Sequence, residues 1–230
     1  MTTTAPARPL RPELPPLPLR MKKLPLDARG YPIPWFVAYV DGKPDFRIMD
    51  VKKLARVLKG EKRCWVCGER LGTTFAFVVG PMCAINRVSS EPPSHRECAW
   101  FSAIACPFLS RPHMRRREAG LPEKMSEPAG VMIDRNPGVA LVWVTNTYEV
   151  IDTGQSREQV HHLFRMGEPR HVYCYADGRP ATAKEVRASV ESGLPLLRGA
   201  CDKEHPTQRA EAHRQLDLVI AKAYKLLGIA

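Results

Sequence analysis

The first regular pattern of apolar and polar positions is a β-rich run at residues 35–40, followed by an Asp41-Gly42 turn signal and a second run at 45–49. Two such runs joined by an Asp-Gly pair predict a β-hairpin, because both residues tolerate the positive φ that a tight hairpin turn needs. After Asp50, a suitable N-cap, the period changes. Apolar residues then recur at i, i+3, i+4 and i+7, which predicts a short helix directly after the hairpin.

The middle of the chain predicts a strand, a turn, a second strand and a helix. Residues 73–79 are rich in β-branched and aromatic side chains, which favours a strand. After a Gly-Pro turn, a second short strand is predicted at 84–88. Ser94, with Glu97 three residues later, forms a capping box, so a helix is expected to start at Ser94 or His95.

The second half of the chain alternates between strand and helix patterns. The predicted elements are strands at 139–144, 148–152 and 171–175, a helix after Ser156 that ends at Gly167, a helix after Thr182 and a last helix from Pro206. Strands 35–49, 139–152 and 171–175 are expected to form one antiparallel sheet. The predicted fold class is therefore α+β, a small antiparallel sheet with flanking helices and an inserted module around the cysteines.

Composition divides the chain into four stretches. Seven prolines within the first thirty residues disfavour helix and sheet and predict a disordered Pro/Arg-rich tail. The predicted stretches are the tail (1–30), a region with the hairpin, the basic helix and the cysteine module (31–118), a linker or excursion (119–136), and an α+β region (137–230). The second and fourth stretches are expected to pack together as one composite domain.

Charge and compartment narrow the class of protein. A hydrophobic content of 44% and a charged content of 26% are ordinary for a globular protein. No apolar run approaches the roughly 18 residues of a membrane span, and the N-terminus has no secretory pattern. A cytoplasmic protein with reduced thiols and no membrane association is expected. The net charge of +11 favours a partner that carries phosphates.

Five of the seven cysteines lie between residues 64 and 106, and their spacing predicts a metal site. Cys64 and Cys67 form a C-x2-C pair followed by glycine, and His95 and Cys98 form an H-x2-C pair on the first turn of the predicted helix. Four protein ligands close a tetrahedral site, so one structural zinc per chain is predicted. Two further cysteines leave an alternative open, in which one of them replaces the histidine as the fourth ligand. These are Cys83 and Cys106.

A knuckle, a hairpin and a helix that donates two ligands from its first turn resemble the treble-clef zinc finger, over residues 64–106. The resemblance implies the same four ligands and a treble-clef-like zinc module inserted in the α+β fold. Some treble-clef proteins are HNH nucleases, which carry a catalytic histidine between the two ligand pairs. This chain has no histidine between Cys67 and His95. The run also resembles uncharacterised proteins of bacteriophages and actinobacteria, which implies a setting and no activity.

Two basic clusters flank the cysteine module, one on the predicted helix before it and one in the segment after it. Arginine in particular makes bidentate contacts with phosphate. The predicted nucleic-acid-binding residues are Lys52, Lys53, Arg56, Lys59, Arg111, Arg115, Arg116 and Arg117. The leading hypothesis is a zinc-stabilised nucleic-acid-binding protein, with DNA as the expected ligand. The alternative is an adaptor or inhibitor that binds an acidic protein through the same basic surfaces or through the proline-rich arm.

Signatures of catalysis are missing from the sequence. It contains no Walker loop and no GxGxxG, GxSxG or HExxH motif, and no pair of carboxylates is placed for acid–base work. No catalytic residue is assigned, and the interpretation leans away from an enzyme. An HNH-like nuclease, or an enzyme of another type, is the third hypothesis. The sequence does not define an oligomeric state.

Overall fold

The computed structural model describes residues 10–111, 114, 115, 117, 119–121, 135–154 and 162–230. This part of the chain contains both helices and antiparallel strands, so the predicted α+β class is confirmed. The helices are α1 (Val51–Leu58), α2 (Pro81–Asn86), α3 (Arg96–Ala105), α4 (Pro107–Ser110), α5 (Ala183–Asp202) and α6 (Pro206–Leu226), with a 3-10 turn at Leu19–Met21. The strands are β1 (Val37–Val40), β2 (Lys43–Met49), β3 (Phe75–Val79), β4 (Val88–Ser89), β5 (Ala140–Thr145), β6 (Tyr148–Asp152), β7 (His162–Met166), β8 (Pro169–Ala176) and β9 (Arg179–Pro180).

The main sheet has the strand order β3-β5-β8-β9, with antiparallel pairing throughout. All six residues of β5 are buried, as expected for a central strand that is covered on both faces. β3 comes from the first half of the chain and β5 from the second, and Phe77 lies opposite Trp143 in their register. The two halves of the chain therefore share one sheet.

The two faces of the main sheet are packed with side chains of different size. On one face α3 lies against small residues, among them Ala76 and Ala140, which face Ala99 and Ala103 of the helix. These short side chains allow a close approach between helix and sheet. The opposite face carries large side chains, including Trp143, and packs against α2, α5 and α6. Helix α3 and the C-terminal helices thus lie on opposite faces of the sheet.

The prediction of a single sheet is wrong, because the described strands form three sheets. β1 and β2 form a separate hairpin, whose turn residues Asp41 and Gly42 have φ values of 49° and 73°. β4, β7 and β6 form a small antiparallel sheet. β1–β2 is instead tied to the cysteine module, since the Phe36 amide donates to the carbonyl of Trp65 at 3.2 Å.

Two local predictions are also wrong. The strand expected at 84–88 is mostly helix α2, because Pro81 occupies the first helical turn, where its missing N–H costs nothing. The helix expected after Ser156 can be compared with the structure only from residue 162 onwards, since residues 155–161 lie outside the described part. Where that helix was expected to continue, residues 162–166 form β7 and pair with β6.

The N-terminal segment differs from the predicted disordered tail over residues 10–30. Met21 is 1% exposed, and Leu14, Leu17 and Leu24 pack against the main core. Arg20 also forms ion pairs with Glu69 and Glu97. A proline-rich segment needs few backbone hydrogen bonds of its own, so a few apolar side chains are enough to hold it on the domain. Residues 1–9 of the predicted tail lie outside the described part.

The C-terminal helices α5 and α6 follow their local signals. The predicted capping box at Thr182 is formed, since its hydroxyl accepts from the Glu185 amide and the Glu185 carboxylate accepts from the Thr182 amide at 2.8 Å. α6 begins with Pro206 at its first turn, as predicted. In the described residues, neither helix is apolar enough over its length to cross a membrane, nor is any other.

Candidate metal centre

A tight knuckle presents the first two cysteines. A bridge between Arg63 and Arg70 closes it, and the Cys64 amide donates to the carbonyl of Glu69 at 2.8 Å. The Gly68 amide donates a hydrogen bond to the carbonyl of Cys64 at 2.9 Å. Gly68 has a φ of 75°, a backbone conformation that favours glycine. The Cys67 amide donates to the Cys64 sulfur at 3.4 Å. This turn holds both sulfur atoms on the same side of the backbone.

The start of α3 presents the other two candidate ligands. His95 is the N-cap of the helix and Cys98 lies on its first turn. The His95 amide donates to the Cys64 sulfur at 3.3 Å, which ties the helix start to the knuckle. The predicted capping box is not formed, because Ser94 pairs with Ala76 of β3 through both backbone groups, at 2.7 and 2.9 Å. β3 therefore fixes where the helix begins.

The four candidate ligand atoms of Cys64, Cys67, His95 and Cys98 all lie within 4.8 Å of one another. The sulfur of Cys67 is 3.4 Å from Nδ1 of His95. Zinc bonds of about 2.0–2.3 Å at tetrahedral angles would separate neighbouring ligand atoms by about 3.5–3.8 Å. Cys64 and Cys98 are fully buried. The donor set and its spacing therefore fit a metal ion such as zinc.

The imidazole of His95 is oriented by a backbone contact. Its Nε2 lies 3.0 Å from the carbonyl oxygen of Arg70, which can only accept a hydrogen bond. In the neutral imidazole the proton is therefore on Nε2, and the lone pair of Nδ1 faces the sulfur atoms. A second hydrogen bond of this kind is the usual way in which a protein fixes the tautomer of a metal-binding histidine.

The electrostatics of the cluster favour a cation. Hydrogen bonds and charge from Cys64 and Cys67 raise the pKa of His95 to about 10. Burial would raise the pKa of Cys64, but hydrogen bonds from Cys67, Cys98 and His95 outweigh it and lower this pKa. The pKa of Cys98 is raised by hydrogen bonding to the other two thiols. The fold thus concentrates thiolate character at one buried point, which a bound cation would neutralise.

The other cysteines lie elsewhere. Among the described residues, the cluster includes neither Cys83 nor Cys106, the two proposed replacements for His95. Cys83 belongs to α2 and Cys106 follows the last residue of α3. Burial raises the pKa of both thiols, as expected for side chains that act as small apolar groups. The structure places His95, and neither of these cysteines, beside the other three ligands.

The basic helix α1 is connected to the knuckle through Trp35. The Trp35 amide donates to the carbonyl of Val66 at 2.7 Å, and its ring lies beneath the charged groups of Lys53 and Arg56. Arg56 also pairs with Glu61 at 2.9 Å. These two predicted phosphate-binding residues are therefore already engaged. The other two, Lys52 and Lys59, are exposed and form no ion pair in the described part of the chain.

The arginine-rich segment after α4 lies against β2. Nη1 of Arg47 donates to the carbonyls of Arg117 and Ala119, each at 2.9 Å. Because β2 leads directly into α1, this contact joins the segment to the element that carries the first basic cluster. The side chains of Arg115 and Arg117 are exposed. Arg116 lies outside the described residues.

A buried asparagine that the sequence interpretation missed shapes the same segment. Nδ2 of Asn136 lies within 3.1 Å of the carbonyl oxygens of Phe108, Leu109 and Arg111, and its Oδ1 accepts from the Gly138 amide at 2.7 Å. Its side chain is among the most buried in the protein. In the sequence, Asn136 is visible only as part of an Asn-Pro pair, which does not indicate this role. Its hydrogen-bond acceptors lie 25 to 28 residues earlier in the chain.

Comparisons of the chain with protein-family models, with curated proteins and with solved structures found no match. No family is therefore shown by similarity. The class that the fold and the site define is an α+β protein with a Cys3His cluster that can hold a metal ion. The phage or actinobacterial setting stays a prediction.

Proposed function

We propose that this chain is a nucleic-acid-binding protein whose basic surfaces are held in place by one structural zinc ion. The observation that carries the proposal is the position of exposed cations on both segments that flank a closed metal cluster. Several of them form no ion pair in the described part of the chain: Lys52, Lys59, Arg111, Arg115 and Arg117. An excess of unpaired positive charge on fixed elements is the electrostatic footprint of a phosphate-binding protein.

The metal has a structural role in this proposal. Three cysteines and one histidine fill a tetrahedral shell, which leaves no open position for a substrate or a catalytic water. The treble-clef resemblance is supported at its two ligand-bearing ends, the knuckle and the helix start. Between them the expected hairpin is replaced, since β3 pairs with β5 of the main sheet and α2 follows it. The ion then joins the knuckle to a helix that the main sheet already anchors.

Metal content provides the first test. We expect the purified, reduced protein to contain about one zinc ion per chain, measured by elemental mass spectrometry, and to lose thermal stability when chelated. Cys64→Ser should abolish stoichiometric zinc. Cys83→Ser is the matched control and should keep it, because this thiol lies outside the cluster. A zinc-free wild-type protein that is equally stable would contradict the structural role.

Binding to labelled DNA, followed by fluorescence anisotropy in increasing salt, tests the rest. With five phosphate contacts, a plot of the logarithm of the binding constant against the logarithm of the salt concentration should have a slope of about −4 to −5 on duplex DNA. The affinity should then fall about 500-fold between 50 and 200 mM salt. Replacing Arg111, Arg115 and Arg117 with alanine should weaken binding and reduce the slope. Unchanged binding by that variant would contradict the assigned surface.

A charge-matched control separates these sites from general positive charge. The α6 control variant, Arg209→Ala/Lys222→Ala/Lys225→Ala, removes three exposed cations from the opposite side of the main sheet. It should bind nearly as the wild type does. Absence of binding to any DNA, together with capture of one acidic protein, would instead favour the adaptor hypothesis.

A further inference from the structure

An open groove of about 670 Å³ lies between the metal centre and the exposed end of the main sheet. The stretch after the knuckle forms one wall, and the start of α3 forms another. The third wall is the beginning of β8, with Val144 of β5. Among the described residues, none of the basic cluster on α1 or of the 111–117 segment lines the groove.

Positive charge dominates the lining, with four arginines and a single glutamate. Arg20 is neutralised, since it pairs with Glu69 at 2.8 Å and with Glu97 at 3.1 Å. The remaining three arginines are exposed and form no ion pair in the part of the chain that the structure describes: Arg70, Arg96 and Arg170. Guanidinium groups gathered around one groove repel one another, and an anionic ligand would relieve that repulsion.

The backbone at all three arginines is held firmly. The carbonyl of Arg70 accepts the hydrogen bond from His95 Nε2, and Arg96 is the first residue of α3. Arg170 lies on β8, between residues that pair with β5 in the main sheet. Two of the three positions thus adjoin the candidate ligand His95. A groove built on such elements is preorganised, so little order would be lost when a ligand binds.

An aromatic surface continues from the groove along β8. His171 lines the groove, and Tyr173, two residues further, lies on the same face of the strand. Their rings are stacked, with centroids 5.9 Å apart and an interplanar angle of 24°. Tyr173 is 37% exposed, so its ring is open to solvent. Exposed aromatic rings beside a cationic groove are the combination with which proteins bind unpaired bases and their phosphates.

We propose that this groove binds a single-stranded nucleic-acid segment, with phosphates at Arg70, Arg96 and Arg170 and a base stacked on the His171–Tyr173 surface. The proposal rests on the proposed nucleic-acid function and adds to it a site and a strand preference. A duplex offers the same phosphates, but its bases are paired and cannot reach the aromatic rings. The aromatic surface therefore favours the single strand.

Fluorescence anisotropy on the zinc-loaded full chain tests the proposal. The probes are a labelled oligothymidylate of about 12 nucleotides, which is within the usual range of site sizes, and a duplex of the same length. We expect tighter binding to the single strand. The groove variant Arg70→Ala/Arg96→Ala/Arg170→Ala should lose about tenfold or more in single-strand affinity, and its salt slope should fall by about 2, since each phosphate contact contributes about 0.7.

A second variant tests the aromatic surface. Tyr173→Ala should weaken single-strand binding about tenfold without changing the salt slope, whereas Tyr173→Phe should bind as the wild type does. Replacing the three groove arginines by lysine should keep most of the salt slope of single-strand binding, because lysine carries the same positive charge. The α6 control variant should change neither quantity. Zinc content and melting temperature of each variant show that it is folded.

The outcomes separate this inference from the proposed function. If the wild type binds neither probe, both fail. A second outcome is that the wild type binds DNA and the Arg111→Ala/Arg115→Ala/Arg117→Ala variant is weakened while the groove variant is not. In that case the proposed function stands and the groove assignment is overturned. Inorganic pyrophosphate serves as a competitor. If it displaces the strand at equal phosphate concentration and Tyr173→Ala has no effect, the groove is a simple anion site and the proposal is overturned.

Discussion

Gly68→Ala tests how tightly the metal knuckle is coupled to the basic helix. Gly68 has a φ of 75°, which an alanine adopts only with strain. A Cβ at this position would lie 2.7 Å from both Cγ and Cδ1 of Trp35, and 3.2 Å from its Cβ. Carbon atoms in good contact are about 3.5–4.0 Å apart, so the indole of Trp35 would have to move by about 1 Å.

The expected cost has two parts. The left-handed backbone costs an alanine about 1–2 kcal/mol, and displacement of a packed aromatic ring adds about 1–3 kcal/mol. Trp35 cannot move freely, because its amide is bonded to Val66 and its ring packs edge-on against Trp65, with centroids 5.9 Å apart. The total is therefore about 2–5 kcal/mol. We also expect weaker zinc binding, since the glycine amide closes the turn between the two cysteines.

Urea unfolding of the zinc-loaded protein, followed by tryptophan fluorescence, measures the first effect, and competition with a zinc chelator measures the second. Gly42→Ala is the matched control. Gly42 has a φ of 73°, and a Cβ there would meet nothing within 4 Å. It should cost only the backbone strain, about 1–2 kcal/mol. Equal destabilisation by the two substitutions, with equal zinc affinity, would refute the coupling through Trp35.

Three further predictions concern stability. The guanidinium of Arg47 holds the pKa of Asp45 below its ordinary value. This stabilisation is fully present above the pKa of the unfolded state, about 3.9, and is lost as the pH falls through the lower pKa of the folded state. Asp45→Asn should therefore cost about 1–3 kcal/mol at pH 7. In unfolding measured below about pH 3.9, the cost should become progressively smaller. Asn136→Ala should cost about 1–3 kcal/mol in urea unfolding, because it leaves partly buried carbonyls without their donor. A cost under about 0.5 kcal/mol would contradict the bracing role of Asn136. In α5, Gly193→Ala should lower the melting temperature, since its Cβ would lie 2.5 Å from the sulfur of Met82 in α2. Gly199→Ala should raise it, because a Cβ there meets nothing within 4 Å and alanine favours a helix. Changes of equal sign in the two variants would refute this account.

Local signals in the sequence predicted those elements whose cause is local. The β1–β2 hairpin follows from its Asp-Gly turn, and the side chain of Asp50 caps α1 by accepting from two backbone amides, as its position predicts. The capping box at Thr182 depends on two residues three apart. The spacing of the four candidate ligands needed only the knuckle and one helical turn. The deciding interactions of the hairpin and the two helix caps span only a few residues, whereas the contact that joins the knuckle to the helix start spans 31.

The errors arise where distant contacts decide the structure. Ser94 has the sequence of a capping residue, but its backbone is committed to β3, so the helix starts one residue later, with His95 as the N-cap. The segment at 10–30 lacks any periodic pattern, and its order depends on leucines that meet a core formed much later in the chain. The short run at 84–88 fits either strand or helix by periodicity, and the proline at the start of α2 was the signal that favoured helix.

The position of the cluster separates two kinds of electrostatic binding. Chelation of the metal would leave every lysine and arginine on the chain, so attraction that depends only on net charge would survive it. We expect the proposed groove to lose its geometry, because His95 is bonded to the carbonyl of Arg70 and directly precedes Arg96. In the proposed groove, a bound ion would therefore act on ligand binding through the distances between guanidinium groups, and only slightly through the total charge. Binding that persists at low salt after chelation, but loses its preference for single strands, is the combination expected from this arrangement.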